Sequence, residues 1–411
     1  MRVLIVTAGS WGDVAPYIGL GVRLAAAGHR VALATHARFE TQTAAHGLEF
    51  RPLPVDPRDE LASAAGQGLA RAVSPPVAMA RVVRMARTFM PQLTDGVLAA
   101  VRAGADVMLA STLTEPMCAA LGEALRIPCL GVHLQPIAPT GEFPPLVTGA
   151  RSYGAPVNRL AGHALWAGAE RLFAPAVGDL RRELGLPVRR FTGPLGLPPE
   201  RVVLHGFSPY VVPRPADWPA GHRVTGYWWP QPPPSWQPDP RLLDYLDAGP
   251  PPVLAGFGSF VAADPARLSA LLARAFRLAG VRGLVQSGWT GLHAAGEDLL
   301  TIGDTPHSWL LPRTAAVIHH AGAGTTAAGL RAGIPAVPVP VQLDQHFWAA
   351  RLHRLGVAPR PLRYQRLTAE ALAASIRAAL AVPAQRPRAL AAALATEDGA
   401  APVLAALARL A

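Results

Sequence analysis

The stretch from Ala315 to His346, AAVIHHAGAGTTAAGLRAGIPAVPVPVQLDQH, constrains the fold more than any other part of the chain. An apolar run of strand length, Ala315 to Ile318, leads into His319, His320 and a glycine-rich turn, Ala321-Gly322-Ala323-Gly324. Thr325 and Thr326 follow, then a helical pattern to Arg331. Gly333 stops that helix, and Pro335 to Val341 reads as the next buried strand. Strand, glycine turn, helix, strand is half of a doubly wound α/β unit. A helix N-terminus behind such a turn offers free backbone N–H groups and the positive end of the helix dipole, which favours bound phosphate. The Thr325 and Thr326 hydroxyls and the His320 imidazole add donors. Asp344 and Gln345 follow the second strand, on the carboxyl edge where such sheets bind ligands, and suit a polyol. The residues therefore read as a nucleotide-diphosphate site with a sugar-binding pair beside it. They also fit a dinucleotide fingerprint, because Gly322 to Ala327 matches G-x-G-x-x-A and Asp344 stands 20 residues beyond Gly324.

A chain of 411 residues is long for one core, and two domains are expected. Alternating strand and helix patterns point to parallel α/β sheets. The formal charge is +11 and every basic residue counted in it is Arg, so Schiff-base and Walker A lysine chemistry are excluded. The positive balance suits an anionic substrate, and no aromatic-interleaved basic tract suggests nucleic acid. Cys118 and Cys129, the only cysteines, fit a reducing compartment without disulfides. Met1-Arg2 runs straight into a strand, and no apolar run approaches the ~20 residues that span a bilayer. A cytoplasmic protein is expected.

Val3 to Thr7 reads as the first buried strand, bounded by Ala8-Gly9-Ser10, with Ser10-Trp11-Gly12-Asp13 as the turn and Pro16 as opening the next helix near its first turn. Asp13 therefore sits on a strand-to-helix loop at the ligand edge. It is either a helix cap or a general base. Arg81, Arg84 and Arg87 recur along an amphipathic helix, which reads as a solvated face or as a contact for a membrane surface. Glu115 reads as a helix cap. Residues 140 to 200 look irregular, and Arg201 to Phe207 reads as the last N-terminal strand. The tract Pro230 to Pro240 reads as a stiff exposed linker. Val253 to Phe257 opens the second half, and Ser259 lies on its turn. Trp289 reads as a stacking partner for a nucleobase or as a core residue.

HHAGAGTT, followed by GLRAG-P and DQ, resembles the donor signature of inverting glycosyltransferases of the GT-B type. VTAGSWGDVAPYIGLGVRLAAAGHRVALATH, VLAGFGS and RLGVAP extend the resemblance over nearly the whole chain, and enzymes that glycosylate sterols, lipids and bacterial natural products are the nearest in pattern. The resemblance implies an α/β fold of two facing Rossmann-like domains with a cleft between them. The expected division is an acceptor domain over 1–215, a Pro-rich linker over 216–240, a nucleotide-sugar domain over 241–395, and a helix over 396–411 crossing back. It implies Asp13 as the catalytic base. Donor contacts are implied for Ser10, Ser259, Trp289, His307, His320, Gly322, Gly324, Thr325, Thr326, Asp344 and Gln345, and acceptor contacts for Trp11, His133 and Gln135. Trp11 replaces the family's loop arginine, and Ala328 the plant branch's ribose-binding glutamate. No D-x-D motif suggests a metal, and no cofactor is expected. The implied co-substrate is UDP-glucose or a dTDP-sugar, and the acceptor a small molecule, with oligomeric state not legible. The alternatives are a sterol or lipid glucosyltransferase at a membrane surface, a catalytically silent helper of the same fold, and a nicotinamide-dependent oxidoreductase using the glycine turn.

Overall fold

A computed structural model describes residues 1–56, 75–187, 201–296 and 298–410, with the backbone alone over 75–88. The first half builds a seven-stranded sheet from β1 (Arg2–Val6), β2 (Arg30–His36), β3 (Glu49–Leu53), β4 (Val107–Ala110), β5 (Cys129–His133), β6 (Val203–His205) and β7 (His222–Val224). Every pairing is parallel, in the order β3-β2-β1-β4-β5-β6-β7. The second half builds a five-stranded parallel sheet from β8 (Val253–Gly256), β9 (Gly283–Gln286), β10 (Leu299–Ile302), β11 (Ala316–His319) and β12 (Ala336–Pro338), ordered β10-β9-β8-β11-β12. The central strands are short apolar runs because helices cover both faces, whereas the edge strands β3 and β7 of the first sheet are mixed in character. Strand order reverses between β1 and β4 and again between β8 and β11, which opens a crevice at the carboxyl end of each sheet.

The helices follow their apolar stripes. Helix Trp11–Ala26 buries Val14, Tyr17, Ile18, Gly21 and Leu24 against the first sheet. It begins at Trp11, five residues before Pro16, so Pro16 lies inside the helix and does not open it. Helix Ala323–Ala332 ends at Gly333, whose φ of +67° is the left-handed cap that glycine adopts without a Cβ penalty.

Three expectations change. Residues 155–183 form a 29-residue helix and are not irregular. The buried positions Asn158, Gly162, Trp166, Phe173, Val177 and Leu180 do keep helical spacing, but Asn and Gly interrupt the apolar stripe. Each has a local reason. Asn158 donates to the Gly141 carbonyl at 3.0 Å, and a Cβ at Gly162 would stand 2.9 Å from the Pro139 Cβ. Second, β6 is not the last N-terminal strand: β7 pairs beside it, so the first sheet runs past residue 215 to Val224. Third, Glu115 does not cap its helix. It is buried and bridges His133 at 2.9 Å and Arg201 at 3.2 Å. The backbone of the helix Pro75–Arg102 is described, whereas the Arg81, Arg84 and Arg87 side chains lie outside the described residues.

The two halves share core. Phe143, Leu146 and Phe207 from the first pack in one apolar cluster with Phe347 and Trp348 from the second. The chain end returns to the first half: Ala400, Val403, Ala406 and Leu407 cluster with Val3, Ile5 and Tyr17. Trp228 Nε1 donates to the Gly399 carbonyl at 2.9 Å, and Arg23 pairs with Asp398 at 2.6 Å. Among the described residues no helix is long and apolar enough to cross a membrane. Leu407 is fully buried. Leu407→Ala is expected to destabilise the protein by about 2–5 kcal/mol, read as an earlier urea unfolding midpoint; an unchanged midpoint would show that the returning helix adds nothing.

Candidate active site

Loops from both crevices meet in the cleft. After β1, Gly9 N donates to His36 Nε2 at 2.8 Å, and Ser10 N and Ser10 Oγ both reach Asp13 Oδ2, at 2.9 and 3.0 Å. Ser10 is thus the N-cap of helix Trp11–Ala26 and Asp13 its reciprocal partner. Gly9 has φ +150°, and a Cβ there would lie 2.5 Å from Asp13 Oδ2, so only glycine lets the loop close on the carboxylate. Asp13 is half-buried. Burial raises its carboxyl pKa above the ordinary range, against the lowering effect of the Ser10 bonds and the Gln135 side chain. Asp13 thus completes the capping box of Ser10 while burial leaves its carboxylate more readily protonated than an exposed one.

Asp13 forms part of the wall of a cavity of about 590 Å³. Gln135, Thr112 and Asn158 supply polar groups, and Leu134, Phe143, Leu146, Leu165, Trp166 and Phe173 much of the apolar lining. Size and chemistry suit a hydrophobic small molecule with few polar groups.

Across the cleft, the N-terminus of helix Ala323–Ala332 faces helix Trp11–Ala26. A Cβ at Gly324 would stand 3.9 Å from the Gly12 Cα. His320 sits in the turn before it, between two glycines. A Cβ at Gly322 would collide with its Nε2 at 2.6 Å, and one at Gly258 would touch its Cε1 at 3.2 Å. Gly322 itself has an ordinary φ, −64°, and the left-handed residue of the turn is Ala321, φ +63°. The glycine pattern thus reflects close approach of the ring. His320 is buried, and burial, with His307 nearby, pushes its pKa down to about 4, so the ring is neutral at pH 7. Its Nδ1 and the buried Thr326 Oγ1 find no hydrogen-bond partner within the protein. Together with the free N–H groups of the helix, these donors fit an anionic ligand. Thr325, beside Thr326, and Ser259, beside Gly258, are half-buried on the connections that follow β11 and β8.

Asp344 is the N-cap residue of helix Gln345–Arg354, and its Oδ2 accepts from Trp348 Nε1 at 2.8 Å. Burial and the neighbouring Asp13 raise its pKa to about 6, partly offset by the Trp348 bond. The carboxylates of the two halves therefore sense each other. Gln345 is buried, and its Oε1 accepts from Val341 N at 2.9 Å and Gln342 N at 3.0 Å, so its carbonyl holds the loop.

Three expected positions, His133, Trp11 and Trp289, lie elsewhere or carry other contacts. His133 does not line the cavity. It is the last residue of β5, buried, bonded to Glu115 and edge-on to His205, whereas Leu134 and Gln135, in the loop beyond the strand end, line the cavity. Trp11 is also outside the lining; it is 43% exposed and its ring rests on Phe39 at 5.7 Å. Trp289 has the Arg38 guanidinium 5.0 Å from its ring centroid, a cation–π contact across the cleft. His307 begins a one-turn helix after Pro306, and burial lowers its pKa despite Asp304. Tyr17 and Leu343 line the cavity without a signal in the sequence, and Tyr17 is a stripe residue of its helix that also reaches the cavity. Among the described residues no three His, Cys, Asp or Glu side chains converge as for a metal ion.

A donor cradle on one half and a carboxylate beside an apolar cavity on the other make this the cleft of a group-transferring enzyme with the GT-B layout. Residues 3–140 match the family model for the Glycosyltransferase family 28 N-terminal domain, and residues 289–409 that for the Erythromycin biosynthesis protein CIII-like C-terminal domain. O-mycaminosyltylonolide 6-deoxyallosyltransferase of Streptomyces fradiae is 38% identical over 97% of this chain and 95% of its own. A sterol 3-beta-glucosyltransferase of Arabidopsis thaliana is 32% identical over 92% of this chain, which spans 62% of that protein. Among solved structures, the glycosyltransferase of kitacinnamycin superposes with a TM-score of 0.72 at 18% identity, covering 100% of this chain and 98% of that one. VinC, solved with dTDP, gives 0.66 at 18%, covering 100% and 99%. The chain belongs to the GT-B glycosyltransferases.

The raised Asp344 pKa carries a stability consequence. Between the ordinary carboxylate value and about 6 the folded state holds more protons than the unfolded one, so this group's contribution to stability falls as pH rises through that window. Asp344→Asn is expected to raise the melting temperature at pH 7.5, with the gain shrinking as the pH falls through about 6 and vanishing only below the ordinary carboxylate value, near pH ~3, where both states are protonated. A gain independent of pH would contradict the assignment.

Proposed function

We propose that this glycosyltransferase moves a hexose, with inversion, from a nucleoside diphosphate sugar to a hydroxyl of a hydrophobic natural product such as a polyketide or glycopeptide. The observation that carries this reading is Asp13, a carboxylate of raised pKa in the wall of an apolar cavity and close enough to Asp344 to raise its pKa. An acceptor hydroxyl directed at Asp13 would lose its proton there as it attacks the anomeric carbon. The departing diphosphate would rest on the helix N-terminus, Thr325, Thr326 and His320. A neutral His320 donates a hydrogen bond to it without first carrying a charge, and the dianion would raise the pKa of that ring. Asp344 would hold sugar hydroxyls, while Gln345 keeps its carbonyl on the loop and has only its amide N–H groups to offer. Ser10, Ser259, Gly322 and Gly324 would shape the donor side and Gln135 the acceptor side. Trp289 and His307 would flank the base.

Thymidine diphosphate is the favoured nucleotide. Two of the structural neighbours were solved with it, and the Streptomyces fradiae relative is named for a 6-deoxyallosyl group. The sterol relatives support a second reading, glucose transfer to a sterol, for which the same apolar lining would serve. Under either reading the chemistry involves no metal and no resident cofactor, and the protein works in the cytoplasm.

The test is thermal stabilisation and donor hydrolysis with dTDP-glucose, UDP-glucose and NADPH, for wild type and His320→Ala. A sugar nucleotide present at 100 times its Kd should stabilise the wild type by ~2.7 kcal/mol, and less in the variant. Stabilisation by NADPH alone would return the oxidoreductase reading, and sugar-nucleotide binding without turnover would indicate a silent helper. Asp13→Asn is expected to lower kcat by roughly 10²–10⁴ with the donor Kd retained, and activity should survive a chelator.

A further inference from the structure

Leu343 is the one cavity-lining residue from the second half among those described, and its backbone is unusual. Its φ is +52°, a region that residues with a Cβ avoid and glycine enters freely. Its side chain is 61% exposed, so no core packing recompenses the strain. The loop is pinned on both sides of it. Gln345 Oε1 holds Val341 N and Gln342 N, and Trp348 Nε1 holds Asp344. A strained residue persists where its surroundings over-determine it, and such residues cluster at functional sites. The leucine is thus carried out of the second half and set against the mouth of an otherwise N-terminal cavity, opposite walls that include Phe143, Leu146 and Leu165.

We infer that Leu343 is a specificity-determining contact through which the donor half grips the apolar body of the acceptor. This rests on the glycosyl-transfer reading and deepens it. An apolar acceptor in the cavity would cover the exposed leucine, and the gain would fall on the loop that carries Asp344 and Gln345. Acceptor binding and placement of the donor sugar would then be coupled through four consecutive residues, Gln342 to Gln345. A polar acceptor of the same size would leave Leu343 wet and gain nothing from it.

The experiment compares wild type with Leu343→Gly, Leu343→Ala and Leu343→Met, using O-mycaminosyltylonolide and cholesterol as acceptor probes. Leu343→Gly removes both the strain and the side chain. Its melting temperature should hold or rise while the acceptor KM rises roughly tenfold, as loss of a buried aliphatic contact implies. Leu343→Ala keeps the strain and should show the same rise in KM without the thermal gain, and Leu343→Met should restore most of the affinity. Donor Kd and donor hydrolysis without acceptor should stay within about twofold of wild type, since changes at contacts that two ligands do not share act nearly independently. An unchanged acceptor KM in both small variants overturns the role of Leu343 and leaves the enzyme's function intact. Loss of donor binding in both overturns it too, because the residue would then serve the donor. A wild type that hydrolyses donor but takes neither probe overturns the hydrophobic-acceptor reading itself, and the role of Leu343 with it.

Discussion

One indole N–H ties the core of this protein to its cleft. Trp348 is fully buried in the apolar cluster that both halves share, and its Nε1 is bonded to Asp344. Without that donor, the Asp344 carboxylate would be buried beside Asp13 with less to offset the loss of water. The placement of the sugar-side carboxylate therefore depends on how the two halves pack. Any change in the layer formed by Phe143, Phe207, Phe347 and Trp348 would also move the site.

The two crevices use different means for the same purpose. On the first half, loop closure rests on Gly9, held by His36 and pressed on Asp13. On the second, it rests on glycines that make room for the His320 ring. Each loop ends in a helix N-terminus, and the two helices approach at Gly12 and Gly324, so both dipoles present their positive ends near the meeting point. Opposed to them are the carboxylates of Asp13 and Asp344. The cleft thus contains both signs of charge, separated by which side of the reacting bond each would face: negative toward hydroxyls, positive toward phosphate.

Much of this was legible in the sequence. The turn after β11, its helix and the left-handed Gly333 all follow from local propensity, and so do the strands that are apolar runs, whereas β3 (Glu-Phe-Arg-Pro-Leu) and β7 (His-Arg-Val) carry no such signal. The strand-turn-helix pattern places Asp13 at the end of the first strand's connection, although the helix begins at Trp11 and Asp13 falls in its first turn and not on the loop. What was hidden depended on tertiary structure. The helix Ala155–Glu183 was masked because Asn158 and Gly162 occupy stripe positions for reasons of hydrogen bonding and close packing with loop 139–141. His133 lies on the expected strand, but its side chain is taken up by Glu115, and the cavity is lined by Leu134 and Gln135 from the loop beyond the strand end. Gln345 was read by its chemistry, whereas its carbonyl is engaged by the loop it follows. The φ of Leu343 leaves no mark in composition at all.

Several unfavourable features gather in the cleft. Asp13 and Asp344 are held at raised pKa, His320 and Thr326 bury polar atoms without protein partners, and Ala321 and Leu343 adopt left-handed backbone. Each of these works against folding, by the order of ~1–3 kcal/mol for an unpartnered buried group or a strained backbone. They are tolerated because two fully parallel sheets with helices on both faces, and a chain end that returns to the first half, surround them with ordinary packing. A ligand with a diphosphate and an apolar body would relieve several at once, supplying acceptors for His320 and Thr326 and apolar cover for Leu343. The distribution of strain is therefore itself an argument about function: the cleft is built to be completed by what binds there.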